Sequence, residues 1–163
     1  MHYRLYGGLN HMSAFVQDAE MRERILPQFV PVAAQPPSES GPITVLLADD
    51  DDQVRGFCRS LLAANGFTVL EAHNGLEALL TSVQRHGAID VLITDLVMPG
   101  ISGTELGRAF NDLWPGVNVL YMSGSPRETV GDQLPADCVF LPKPFAPDAL
   151  VQAIGSAMVR GSH

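Results

Sequence analysis

Five short apolar runs punctuate residues 43–142, and between them lie stretches whose apolar residues recur at helical spacing. ITVLLA (43–48) is continuous in a way suited to a strand buried on both faces. Residues 52–64 follow with Val54, Phe57, Cys58, Leu61 and Leu62 on a helical stripe, stopped by Asn65-Gly66. FTVLEA (67–72) precedes a helix bearing Leu76, Leu79, Leu80 and Val83, which ends at His86-Gly87. DVLITD (90–95) is a third strand; the turn-rich LVMPGIS leads into a helix from Ser102 to about Leu113, closed by Trp114-Pro115-Gly116. VNVLYM (117–122) and CVFLP (138–142) are two more strands, with a short helix near 127–133 between them and a last helix from Pro147 to Met158. Five βα units of this kind predict an α/β domain, a parallel sheet with helices on both faces.

The remainder of the 163 residues is an appendage. Residues 30–42, VPVAAQPPSESGP, concentrate proline and serine and form a solvated connector, so a domain boundary is expected near Gly41. Before it, in the N-terminal extension 1–29, Ser13 caps a predicted helix over 14–26 whose face carries Met12, Phe15, Val16, Ala19, Glu23 and Leu26. That face is either a docking or homodimer surface or one that lies on the chain's own domain, and the pattern fits both. Arg160-Gly161-Ser162-His163 resembles part of a purification tag, and 159–163 are set aside from the fold.

Charge narrows the function classes. The net charge is −8, and nearly all of it belongs to residues 43–163, with 14 Asp/Glu against 7 Lys/Arg. Direct nucleic-acid binding, which needs cations to neutralise phosphates, is not expected. Cys58 and Cys138 have neither disulfide-framework nor zinc spacing, and a reducing cytoplasm suits them. No apolar run approaches the roughly 20 residues of a membrane span, and the N-terminus lacks a secretory layout, so membrane insertion is not expected.

Ligands of open parallel sheets sit outside the carboxyl ends of the strands. There the first strand delivers Asp49, Asp50, Asp51 and Asp52, the third Asp95, the fourth Ser123 and the fifth Lys143, the only lysine in the chain. Gathered carboxylates repel unless they share a cation, and hard oxygen donors suit Mg²⁺. A compact ammonium beside a metal and an acid has a phosphoryl oxygen as its natural partner. Each group also has an ordinary reading: the Asp run caps the first helix, Ser123 caps the next, and Lys143 is an exposed loop residue.

VLLADDDDQVR (45–55), DVLITDLVMPGISGTEL (90–106), VLYMSG (119–124) and FLPKPF (140–145) resemble, in order, the four signature segments of bacterial response-regulator receiver domains, over residues 43–158. The resemblance implies a flavodoxin-like, doubly wound five-stranded parallel sheet of order 2-1-3-4-5. It implies Asp95 as phosphoacceptor, Asp50 as direct Mg²⁺ ligand beside Asp95 and the Val97 carbonyl, and Asp49 as an acid that holds the metal through water. Ser123 matches the switch hydroxyl, Lys143 the phosphoryl-contacting lysine before a candidate cis bond to Pro144, and Phe140 the aromatic switch. The implied partner is a histidine kinase or histidine phosphotransfer protein, and the implied chemistry is limited to the domain's own phosphorylation and dephosphorylation. VLYMSG and FLPKPF are similar to receivers attached to hybrid sensor kinases.

This chain also departs from the pattern. The 20-residue separation of Ser123 and Lys143 is short for the family, Gly131 and Pro135 shorten the fourth helix, and Asp52 stands where proline is common. A remodelled output face is therefore expected. Two other functions fit parts of the sequence. A haloacid-dehalogenase-like Mg²⁺ phosphatase would use Asp49 as nucleophile, but only Asp148 remains as an acid beyond Lys143, and Asp95-x-x-Met98-Pro99-Gly100 goes unexplained. A receiver-like module that works by binding alone requires a damaged site, and none of the site residues is missing.

Overall fold

The apolar runs become strands because β-branched and leucine side chains alternate across a sheet that is covered on both sides. The structure, a computed structural model, describes residues 41–86 and 88–161; the predicted helix 14–26, most of the linker, Gly87 and residues 162–163 lie outside them. The elements are β1 (Thr44–Ala48), α1 (Asp52–Ala64), β2 (Thr68–Ala72), α2 (Gly75–Gln84), β3 (Val91–Asp95), α3 (Gly103–Leu113), β4 (Asn118–Ser123), α4 (Arg127–Val130), a 3₁₀ turn (Gly131–Gln133), β5 (Val139–Pro142) and α5 (Pro147–Gly161). All strand pairs are parallel, and the sheet order is β2-β1-β3-β4-β5, as expected.

Alternation along the strands divides the core. Val45, Leu47, Val91 and Ile93 face α1 and α5, meeting Cys58, Leu62, Leu150 and Ile154. Leu46, Ala48 and Leu92 face the other way, onto Ala78, Leu79, Leu106 and Phe110 of α2 and α3. A smaller cluster of Leu96, Tyr121, Val130 and Leu134 covers the α4 end of the sheet.

Helix starts follow the sequence. Asp51 accepts from the amides of Gln53 and Val54 to cap α1, Asn74 accepts from Glu77 to cap α2, and Ser102 with Glu105 forms a reciprocal capping box at α3. The helix α4 has only four residues and no side-chain cap.

Two expectations need correction. On α1 the buried residues are Arg55, Cys58 and Leu62, whereas Phe57 is 48% exposed and rests against Phe145 at a ring separation of 6.4 Å. The final helix also runs past Met158 to Gly161, and Arg160 Nη1 donates to the Asp137 carbonyl at 2.6 Å, so 159–161 belong to the fold. Among the described residues no helix is long and apolar enough to cross a membrane.

Candidate functional site

Parallel strands all end on one rim, and the residues that follow or close them meet there. Asp49 and Asp50 follow β1, Asp95 closes β3, Ser123 closes β4 and Lys143 follows β5. Carboxylate oxygens of Asp49, Asp50 and Asp95 lie within 4.8 Å of one another. Asp49 is fully buried: one oxygen accepts from the Asp51 amide at 2.9 Å, the other from Lys143 Nζ at 2.8 Å. The same ammonium stands 3.5 Å from Asp95.

The electrostatics follow from this crowding. Burial raises the Asp95 pKa above the usual carboxylate range; Lys143 opposes the rise and the charges of Asp49 and Asp50 add to it. Burial disfavours the Lys143 ammonium, but its hydrogen bond to Asp49 and the charges of Asp49 and Asp95 outweigh this and hold its pKa above the ordinary lysine value.

The backbone around Asp95 is fixed from below. Thr94 Oγ1 donates to the Asp95 carbonyl at 2.9 Å. A Cβ at Gly103 would collide with that carbonyl, so only glycine lets α3 start this close to β3. Ser123 is buried, and its Oγ accepts from the Ser125 amide at 3.0 Å. Its carbonyl accepts from the Lys143 amide at 2.7 Å, tying the ends of β4 and β5. The Lys143–Pro144 bond is cis. Val97 follows two residues after Asp95 and is 74% exposed, and Phe140 is half-buried beneath Arg127.

The ordinary readings account for only part of this rim. Asp51 does cap α1, but Ser123 caps no helix and Lys143 is not a free loop residue. Asp49, with both oxygens engaged and no exposure, is poorly placed as the attacking group that a phosphatase would need.

Sequence reading missed Arg55 and Glu71. Arg55 is 6% exposed; its Nη1 donates to the Asp49 carbonyl at 2.7 Å, its Nη2 pairs with Asp52, and its Nε lies 3.5 Å from Glu71. The guanidinium fastens the acidic loop after β1 to α1 and stands at ion-pair distance from Glu71 on β2 without a hydrogen bond to it, and its pairing lowers the Asp52 pKa. The available signal was position: Arg55 stands three residues before Cys58 and seven before Leu62, on the stripe that meets the sheet.

Residues 45–155 match the response regulator receiver domain family model. The sensor kinase CckA of Brucella abortus is 38% identical over 109 residues, which cover 66% of this chain and 12% of that protein. The response regulator MprA of Mycobacterium ulcerans is 32% identical over 123 residues, covering 72% of this chain and 51% of that protein. The chain therefore spans a small part of the first relative and about half of the second. The crystal structure of the receiver domain from the hybrid histidine kinase CckA superposes with a TM-score of 0.60 at 35% identity, covering 71% of this chain and 98% of that one. With the family match extending from the start of β1 well into α5, the chain belongs to the response regulator receiver domain family of two-component signalling.

Proposed function

We propose that Asp95 accepts a phosphoryl group from a phosphohistidine on a histidine kinase or phosphotransfer protein, in the cytoplasm. The observation that carries this is the convergence of Asp49, Asp50 and Asp95 with a lysine bonded to one of them and within 3.5 Å of another. Asp49 is fully buried with both oxygens engaged and Asp50 is exposed, whereas Asp95 is half-buried with the Lys143 ammonium 3.5 Å away, which suits it to attack. Its carboxylate oxygen forms the new O–P bond in line as the P–N bond breaks, and the electron pair of that bond returns to the departing imidazole. The product is an acyl phosphate on Asp95.

Three carboxylates drawn together, one with its proton affinity raised by burial, form a donor set that fits Mg²⁺. Asp50, Asp95 and the Val97 carbonyl would hold the ion, with Asp49 acting through water; bound there, it offsets charge on the transferring phosphoryl oxygens. Lys143 supplies the second positive charge to those oxygens. The Ser123 hydroxyl uses a lone pair for the Ser125 amide and keeps its own hydrogen to donate to the phosphoryl group. Drawing Ser123 inward makes room for Phe140, and the surface around α4, β5 and α5 reads out the change.

The test is intact mass after acetyl phosphate with Mg²⁺, beside Asp95→Asn and a chelated control. One phosphoryl gain that needs both Asp95 and metal supports the reading. A gain that persists in Asp95→Asn overturns it, and steady release of phosphate from an ester would favour a phosphatase.

A further inference from the structure

We propose that Arg127 is a positioning residue for the aromatic switch: it holds Phe140 in its unphosphorylated place and lets go when Ser123 moves. The proposal rests on the phosphoacceptor reading above, because Ser123 and Phe140 take their roles from it.

Three observations meet at this residue. The Arg127 guanidinium carbon lies 5.8 Å from the centroid of the Phe140 ring, within the range where a cation is attracted to an aromatic face. Arg127 pairs with no carboxylate among the described residues, although the chain is acidic, so the Phe140 ring and Cys138 are the groups its charge faces. The same guanidinium acts on the neighbouring Cys138, where burial pushes the thiol pKa up and Arg127 opposes the rise. One exposed side chain thus faces both Cys138, just before β5, and Phe140 within it.

Its place in the chain gives the contact a trigger. Arg127 opens α4, four residues after Ser123, and the loop between them is anchored by the Ser125 amide on Ser123 Oγ. A Ser123 hydroxyl drawn towards a phosphoryl group moves this anchor. The first turn of α4 has no side-chain cap to resist the pull, so displacement of the loop reaches Arg127 directly. The ring, packed against the cluster of Leu96, Tyr121, Val130 and Leu134, loses its cover on one side as space opens on the other. Turning inward also takes the ring away from the guanidinium, so the contact favours the unphosphorylated state alone.

A surface cation–π contact of ordinary strength shifts such an equilibrium roughly two- to fivefold. The experiment follows the ring signals of phenylalanine-labelled protein by NMR, without any phosphoryl donor, in the wild type, Arg127→Ala, Arg127→Lys and Phe140→Leu. Alongside, acetyl phosphate labelling rates are measured by intact mass for the same set and for the Arg127→Ala/Phe140→Leu double variant. Arg127→Ala is expected to raise both the inward ring population and the labelling rate about two- to fivefold, with Arg127→Lys in between. In the Phe140→Leu background the Arg127 substitution should change nothing. An unchanged ring population in Arg127→Ala, or an equal rate effect with and without Phe140, overturns the proposal. Absence of labelling in the wild type would count against the phosphoacceptor reading, while the ring measurement still decides the role of Arg127.

Discussion

The two ends of this sheet are built to different standards. From β1 to α3, each helix starts on a side-chain cap, and the acid-bearing loop is strapped by a buried arginine. At the β4–β5 end, α4 is four residues long, lacks a cap and passes at once into a 3₁₀ turn, over a cluster of only four buried side chains. Transfer chemistry demands atoms held in place, whereas a readout demands a segment that costs little to move. On the proposed reading, the capped end carries the transfer and the uncapped end the readout.

Several substitutions sharpen or break this contrast. The largest effect is expected at Lys143, where replacement by alanine removes a charge aimed at the transferring oxygens; acetyl phosphate labelling should slow about 100-fold by intact-mass kinetics. A rate within threefold of wild type would show that the rigid rim works without its ammonium.

Gly103→Ala should cost about 3 kcal/mol in urea denaturation, since the new methyl meets the Asp95 carbonyl, which belongs to a strand and has nowhere to go. Loss of the Ser102 hydroxyl in Ser102→Ala should cost about 1 kcal/mol through the α3 cap. The converse change, Pro126→Asp, gives α4 the cap it lacks and should slow amide exchange over 127–133. Equal exchange in α3 and α4 of the wild type would erase the distinction between the two ends.

The acidic cluster itself should be a liability before metal arrives. Because Asp95 holds its proton more tightly when folded than when unfolded, its contribution favours the folded state at low pH and is lost as pH rises through the raised value. Asp95→Asn is therefore expected to stabilise the metal-free protein by about 1 kcal/mol at neutral pH, and the gain should shrink as the wild-type group becomes protonated. A gain that grows towards acid would reverse this assignment, and thermal melts across the acid range read it directly. The smallest effect belongs to Gly131→Ala: helical backbone and open space around the glycine predict a gain of roughly 0.5 kcal/mol, opposite in sign to the same change at Gly103.

Much of the rim was legible because a parallel sheet turns strand ends into neighbours. Asp49, Asp95, Ser123 and Lys143 each stand at the edge of an apolar run, so finding the runs located the rim. Arg55 was not legible in that way: its buried guanidinium is held by the carbonyl of Asp49 in the loop after β1, a tertiary contact, and a helical stripe alone does not say which third of the helix meets the sheet. For the same reason Phe57, equally well placed by spacing, lies half in solvent. The continuation of α5 to Gly161 rests on an Arg160 contact with the loop before β5, again a tertiary matter. The Arg127–Phe140 contact depends on how α4 lies over β5, which no periodicity encodes.

The bond from Lys143 to Asp49 has a consequence for order of events. Three carboxylates gather near one ammonium that reaches two of them, Asp49 and Asp95, so with all three ionised the cluster holds two more negative charges than positive. A doubly charged cation held by the proposed ligands would close that gap. On the proposed reading, Lys143 meets an incoming phosphoryl group while already bonded to Asp49, so a cation on the rim would lower the cost of turning the ammonium from that carboxylate towards the phosphoryl oxygens.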